Sequence, residues 1–282
     1  MKTKLSKRTL ALLVAAGLLL SVGTVTGTRA LPNIVSEHYR AHFYLNHLQV
    51  HLWENGKDVC GEKNTLDGSN KITGALATDL NYKDDSNLGS VEPGKVYKEE
   101  IYAQNGKDIS QFVRITVRKY WVETDGKGNV LTTKDAAGNT VPEKTTKLSP
   151  KQIHLMYGGE DGYNSGSWFE NPKERTTESS TYYYKDLLEG DEFTDLLFDQ
   201  IKIDKSVAAE KKEEPPEEQP DGRKIYTYTY KYDGCAFYIE ADVQAIQAHN
   251  VQDAIRSQWS QDIAATYTEN EDGSESGSLS LK

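Results

Sequence analysis

The sequence predicts an all-β fold, a single antiparallel β-sandwich of jelly-roll type with long loops and a short C-terminal helix. Three observations predict it. Strand-favouring residues are abundant, with 17 tyrosines among 282 residues, and helical patterns are few. Apolar and polar residues alternate along several segments, as in strands that bury one face. Turns rich in glycine, proline and asparagine separate these segments, and no long-period repeat is present.

Residues 1–30 have the layout of a secretory signal peptide. A basic start, Lys2–Arg8, precedes an apolar run, Leu10–Leu20, and small residues then lead to Ala30. The run is roughly half the length of a membrane-spanning helix. We therefore expect the segment to be removed and the chain to be secreted to the cell surface or extracellular matrix. A single-pass membrane anchor is the alternative.

The charge balance narrows the classes of partner. The chain has 33 basic and 43 acidic residues, and five of the basic ones lie in residues 1–30, which contain no acidic residue. Removal of the signal therefore leaves a formal net charge near −15. Such an acidic surface argues against nucleic acid and against anionic membranes as partners. We expect contact with the membrane only before signal cleavage.

Residues 31–268 are predicted to form the sandwich, and alternation marks its first strands. Three predicted strands are Leu45–Trp53, Val96–Ala103 and Phe112–Glu123, and residues 54–95 are predicted to be loops with one or two short strands. In the third, FVRITVRKYWVE, β-branched residues at every second position face the core while arginine and threonine face outward. Residues 125–146 contain several glycine turns, which predict an exposed hairpin.

The second half of the sandwich contains a charged interruption. Residues 205–223 are rich in Glu, Lys and Pro, which predicts a mobile acidic loop. Ile225–Tyr232 alternates four tyrosines with Thr or Lys, and this tyrosine stripe either packs in the core or stacks on sugars. The next predicted strand, Phe237–Ala245, has apolar residues on one face.

The C-terminal region is predicted to contain the helix. Asn250 is a suitable N-cap for Val251–Trp259, with Asp253 at the third helical position. Residues 269–282 contain mostly small, polar and acidic side chains. We expect them to form a polar tail.

The two cysteines, Cys60 and Cys235, leave two alternatives open. An oxidising cell surface allows them to form a disulfide, whereas the other alternative is two unpaired thiols. Two cysteines are too few for a multi-cysteine zinc site.

No catalytic or metal-binding constellation is evident. His47 and His51 would lie roughly 13 Å apart on one strand face, too far for one metal ion. The sequence contains neither HExxH nor GxSxG. The loop Gly158–Asn164 can wrap a calcium ion, but its spacing is not that of an EF-hand, and a flexible turn is the simpler interpretation. We therefore assign no catalytic residue, metal or cofactor and do not expect an enzyme.

Several short stretches occur in an order that is typical of one family. They are Gly23–Ala30 at the signal end, Glu92–Lys95, Asn105–Gly106, Phe112–Val117, Tyr182–Asp191, Leu196–Ile203 and Glu240–Ala248. With these stretches the chain resembles the TasA/camelysin family of secreted biofilm-matrix proteins of Gram-positive bacteria. The resemblance spans most of residues 5–260.

The resemblance implies a jelly-roll protein that assembles with itself into extracellular fibres. Members assemble by donor-strand complementation, in which the N-terminal strand of one subunit completes a sheet of the next. The donor candidate here is residues 31–45, with apolar side chains from Ile34, Val35, Tyr39, Phe43 and Leu45. The resemblance also implies processing by a SipW-type signal peptidase, which would free the donor, and association with other matrix proteins.

Two other functions remain as alternatives. A cell-surface adhesin would recognise glycans or a host protein through the long loops at 54–90 and 157–175. A camelysin-like metallopeptidase is the second alternative, although the sequence has no motif for it.

Overall fold

The structure is a computed structural model that describes residues 48–59, 71–76, 91–125, 129–209, 211–219, 223–226 and 228–282. These residues belong to one unit, Leu48–Lys282. Three predictions lie outside them: the signal peptide, the donor segment with Ile34, Val35, Tyr39, Phe43 and Leu45, and the environment of Cys60.

Strands make up most of the described secondary structure. They are β1 (Val50–Glu54), β2 (Lys57–Asp58), β3 (Lys71–Leu76), β4 (Val96–Asn105), β5 (Gln111–Glu123), β6 (Thr132–Lys134), β7 (Thr140–Pro142), β8 (Ile153–Tyr157), β9 (Glu160–Asp161), β10 (Trp168–Glu170), β11 (Ser179–Tyr184), β12 (Phe198–Ile203), β13 (Lys211–Glu213), β14 (Glu217–Glu218), β15 (Lys224–Ile225), β16 (Tyr228–Tyr230), β17 (Cys235–Gln247), β18 (Ile263–Glu269) and β19 (Glu275–Leu281). The helices are short: α1 (Ser206–Ala209), α2 (Val251–Ala254), 3₁₀ turns at Pro150–Gln152 and Pro172–Glu174, and a π-helical turn at Ile255–Trp259.

Two large antiparallel sheets contain the long strands. The first sheet has the order β2-β1-β4-β12-β8-β9, and the second has the order β10-β11-β5-β17-β3. Four two-stranded ladders accompany them in the described residues: β6–β7, β13–β16, β14–β15 and β18–β19. The prediction of a mostly antiparallel all-β fold is therefore confirmed.

The main core lies between the two sheets. Val113, Ile115 and Val117 on β5 are buried, as their alternation predicts, because every second side chain of a strand points to the same face. Leu52 on β1 and Ile201 on β12 belong to the same apolar cluster from the first sheet. Burial of these side chains is the main force that holds the sheets together.

A second, smaller core lies under the C-terminal segment. Phe112 and Tyr183 from the second sheet are buried together with Ile255, Trp259 and Leu279. The prediction of a polar tail at residues 269–282 is therefore wrong in part, because β19 pairs with β18 along its whole length. The tail contains only a few apolar residues, but Leu279 is 3% exposed and fixes the hairpin to the sheet.

The predicted helix is present, but Asn250 does not cap it with its side chain. Asn250 has a left-handed backbone with φ of 55°, and its side chain makes no capping hydrogen bond. A side-chain cap needs an extended backbone at this position, so the left-handed turn excludes it. Asparagine is one of the few residues that tolerates this conformation.

The acidic segment contains more structure than a mobile loop. Residues 205–223 include α1, and β13 and β14 pair with β16 and β15. The single strand predicted for Ile225–Tyr232 is instead two short ones, β15 and β16. The tyrosine stripe accordingly divides, since Tyr226 is 52% exposed whereas Tyr232 packs against the main core. The hairpin predicted at 125–146 is found as β6–β7.

Candidate functional site

The second sheet ends at a strand that covers less than half of its neighbour. β17 pairs with β5 along thirteen consecutive residues, from Cys235 to Gln247. On its other side β3 pairs only with residues 239–244 of β17. Among the described residues no other strand lies on that side of β17. An edge of this kind offers backbone N–H and C=O groups to an added strand.

The first sheet ends on the same side of the sandwich. Its edge strand β2 pairs only with Trp53 and Glu54, the last two residues of β1. β1 contacts both β3 and β17, so the edges of the two sheets meet there. The chain reaches this side at Leu48, three residues after the predicted donor segment 31–45.

Edge length distinguishes β3 from the other sheet ends. β3 has six residues, KITGAL, with β-branched residues that favour strands. The edges at β2, β9 and β10 have only two or three residues each. Very short edge strands discourage pairing with another chain. β3 is therefore the best acceptor edge of the two large sheets.

Three aromatic residues form a cluster on the outer face of the first sheet. They are Trp53, Tyr102 and Phe193, and we name them the outer aromatic cluster. Trp53 and Tyr102 are cross-strand partners on β1 and β4, with ring centroids 6.2 Å apart and planes 16° apart. Phe193, from the loop before β12, lies 5.4 Å from Trp53 and 5.8 Å from Tyr102. Because Phe193 is 48% exposed, the cluster is open to solvent on this side.

Polar side chains fix one flank of the outer aromatic cluster. The Trp53 indole N–H donates to Gln104 Oε1 at 3.1 Å. His51 lies 2.7 Å from Asp58 through Nδ1 and 2.9 Å from the Gln49 amide through Nε2. Both ring nitrogens of His51 thus have protein partners, which favours a positioning role for this histidine over metal binding.

The predicted turn at Asn105-Gly106 packs against His51. A Cβ on Gly106 would lie 2.7 Å from the His51 ring, so only glycine fits there without displacement. The Gly106 N–H donates to the Gln49 carbonyl at 2.9 Å and joins the turn after β4 to β1. The Asn-Gly signal therefore has a packing role.

A cavity of about 260 Å³ opens near the other end of the sheets. Lys119 Nζ donates to the Ile153 carbonyl at 2.5 Å, and burial lowers the pKa of this amine while Asp161 opposes the shift. His154 lies 2.9 Å from Asp161 and 3.2 Å from Asp204. Arg175 pairs with Glu170 and Glu178 pairs with Lys144, so the charged groups that line the cavity have partners within the protein.

The outer face of the second sheet is covered around Arg114. Arg114 donates to Gln244 Oε1 at 2.7 Å and to the Tyr183 hydroxyl at 3.0 Å. Tyr183 in turn donates to Glu174 at 2.6 Å, and burial raises the pKa of its phenol. The Trp259 ring lies 5.0 Å from the Arg114 guanidinium. The alternation along β5 predicts that Arg114 faces outward, and it does so beneath the C-terminal segment.

No known protein family, curated protein or solved structure matches this chain. Among the described residues, no helix is both long and apolar enough to cross a bilayer. The resemblance to the TasA/camelysin family stays a prediction from the sequence.

The remaining predicted sites have separate outcomes. Cys235 is a partly buried thiol whose pKa is raised by burial, and because Cys60 lies outside the described residues the disulfide stays a prediction. Within the described ranges no three His, Cys, Asp or Glu side chains converge as metal ligands. The segment Gly158–Asn164 contains the Gly158-Gly159 turn after β8 and the strand β9, and its Asp161 pairs with His154.

Proposed function

We propose that this chain is a secreted structural protein that assembles into extracellular biofilm-matrix fibres by donor-strand exchange. Removal of residues 1–30 by a SipW-type signal peptidase frees residues 31–45 of one subunit, which pair with the β3–β17 edge of the next. The observation that carries the proposal is the coverage of β17, of which β3 pairs with only six of thirteen residues. Other matrix proteins are further partners.

The donor segment has the pattern that such pairing needs. The positions of Val35, Tyr39, Phe43 and Leu45 differ by even numbers, so in an added strand these side chains share one face. Backbone hydrogen bonds supply affinity in strand addition, and alternate side chains set the register. The acceptor side lies between two sheet edges, where these apolar groups reach the margin of the main core.

The arrangement of the long strands supports a jelly-roll type of sandwich. Eight of them, β1, β3, β4, β5, β8, β11, β12 and β17, change sheet at every step along the chain. Such crossing connections join two packed antiparallel sheets into one body. We therefore propose that the sandwich is of jelly-roll type.

A competing donor peptide tests the function. A synthetic peptide of residues 31–45, added in excess to the chain that begins at Leu31, should occupy the acceptor edge and stop elongation. Light scattering and electron microscopy should show fewer and shorter filaments. The matched control peptide carries Tyr39→Asp and Phe43→Asp, which place charges on the inserted face. Filament growth that the unmodified peptide leaves unchanged at saturation would contradict the proposal, as would equal inhibition by both peptides.

A further inference from the structure

The outer aromatic cluster has the composition of a binding surface. Trp53, Tyr102 and Phe193 contact one another on a solvent-facing sheet surface, away from both apolar cores. Soluble proteins rarely expose contiguous aromatic groups unless the patch binds something. Phe193, which closes the cluster, keeps about half of its surface open at 48%.

The rim of the cluster carries negative charge. The loop that supplies Phe193, residues 189–195, reads EGDEFTD and contains four carboxylates and no basic residue. Glu189, Asp191 and Glu192 are exposed in this loop. Asp58, whose carboxylate is bonded to His51, lies on the opposite flank as the cross-strand neighbour of Trp53. A ligand for this surface therefore has apolar faces for the rings and positive charge for the rim.

We propose that the outer aromatic cluster binds an extracellular polysaccharide that carries free amino groups. The C–H faces of its pyranose rings stack on Phe193 and Trp53. Its ammonium groups lie against the electron-rich ring faces and pair with the carboxylates of Asp191 and Glu192. Charge complementarity selects this ligand over nucleic acid and acidic polysaccharides, which the rim repels. A neutral glycan uses the rings and leaves the carboxylates without a partner.

This inference goes beyond the proposed fibre function and does not depend on it. The cluster lies on the face of the first sheet, whereas strand exchange uses the edge at β3 and β17. A chain that never forms filaments can still bind the polysaccharide, and a chain that forms filaments can fail to bind it. The two proposals therefore fail separately.

Tryptophan fluorescence measures ligand binding at the outer aromatic cluster. Of the four tryptophans, Trp121, Trp168 and Trp259 are at most 4% exposed, whereas Trp53 is partly exposed. Acrylamide therefore quenches mainly Trp53. Titration of the chain that begins at Leu31 with a six-sugar glucosamine oligomer, at mildly acidic pH, should protect Trp53 from acrylamide in a saturable manner. The fully N-acetylated oligomer keeps the sugar faces but lacks the charge, and it should bind about tenfold more weakly.

Matched variants locate the binding. Phe193→Ala should weaken binding by about three- to tenfold, because it removes the most exposed ring of the outer aromatic cluster. Asp191→Asn combined with Glu192→Gln should weaken it similarly and reduce its salt dependence. Tyr226→Ala removes another exposed aromatic ring, and Glu271→Gln removes another exposed carboxylate; both should bind like the unmodified chain.

Four results would overturn the proposal. The first is the absence of saturable protection of Trp53. The second is an oligolysine of the same charge that binds as tightly as the glucosamine oligomer and no longer binds to Phe193→Ala. This result would assign the surface to basic peptides. The third is an equal loss of binding in Tyr226→Ala. The fourth is a sedimenting dimer that Phe193→Ala dissociates, which would assign the surface to a second copy of the chain.

Discussion

Individual residues show where the sandwich gains its rigidity. Arg114 lies on the second sheet, yet its guanidinium is hydrogen-bonded to Gln244 and Tyr183 and covered by Trp259. The Tyr183 and Trp259 rings meet edge to face at 5.3 Å. One aromatic side chain from the C-terminal segment thus closes a polar network that would otherwise face water, and it joins two parts of the chain far apart in sequence.

Removal of the Trp259 ring should be costly. Trp259→Ala leaves a cavity beside Tyr183, and we expect a loss of ~3–5 kcal/mol in the free energy of unfolding. Denaturant unfolding followed by circular dichroism measures it. Arg256→Ala, an exposed change in the same π-helical turn, should alter stability by no more than ~0.5 kcal/mol. Equal effects of the two substitutions would show that Trp259 does not support the network.

Buried tyrosines make the fold sensitive to alkali. Burial raises the pKa of Tyr182 and of Tyr183 well above the usual value for a phenol. Their folded pKa exceeds the unfolded one, so their contribution to stability is present below about pH 10 and is lost as the pH rises above it. The denaturant concentration at the midpoint of unfolding should fall steeply above that pH. In Tyr182→Phe it should fall less steeply than in the unmodified chain. A midpoint that stays constant to about pH 11.5 would contradict this account.

At the level of elements, the C-terminal hairpin is fixed by a close approach of backbones. The Leu187 N–H donates to the Gly277 carbonyl at 3.1 Å, and the Leu279 N–H donates to the Lys185 carbonyl at 2.7 Å. β19 therefore joins the segment that follows β11. The two bonds explain why a stretch of small polar residues is ordered although its composition predicts a tail.

The hairpin should not tolerate a side chain at position 277. A Cβ on Gly277 would lie 2.7 Å from the Thr266 carbonyl oxygen and 2.8 Å from the Phe112 ring. We expect Gly277→Ala to destabilise the fold by ~1–3 kcal/mol, because backbone and a buried ring must move. Ser276→Ala, on the exposed face of the same strand, is the control. Hydrogen exchange in β18 and β19 provides a local measurement, and unchanged protection in Gly277→Ala would refute the packing argument.

For the whole molecule, the sequence predicts what depends on local patterns and misses what depends on register. β5 is predicted almost to the residue because its alternation is strict. The outer aromatic cluster is not predicted, since Trp53, Tyr102 and Phe193 meet only through strand pairing and the return of a distant loop. A single phenylalanine among four carboxylates is the one local signal of it. The acceptor edge is likewise a property of sheet order, which no local pattern contains.

The proposed assembly depends on one event, the exchange of residues 31–45 between subunits. The most direct measurement is electron microscopy of the chain that begins at Leu31, at rising concentration, beside the same chain with Val35→Asp and Phe43→Asp. We predict regular filaments from the first and folded monomers, confirmed by circular dichroism, from the second. Monomers from both chains at every concentration, or the same filaments from both, would contradict assembly by donor-strand exchange.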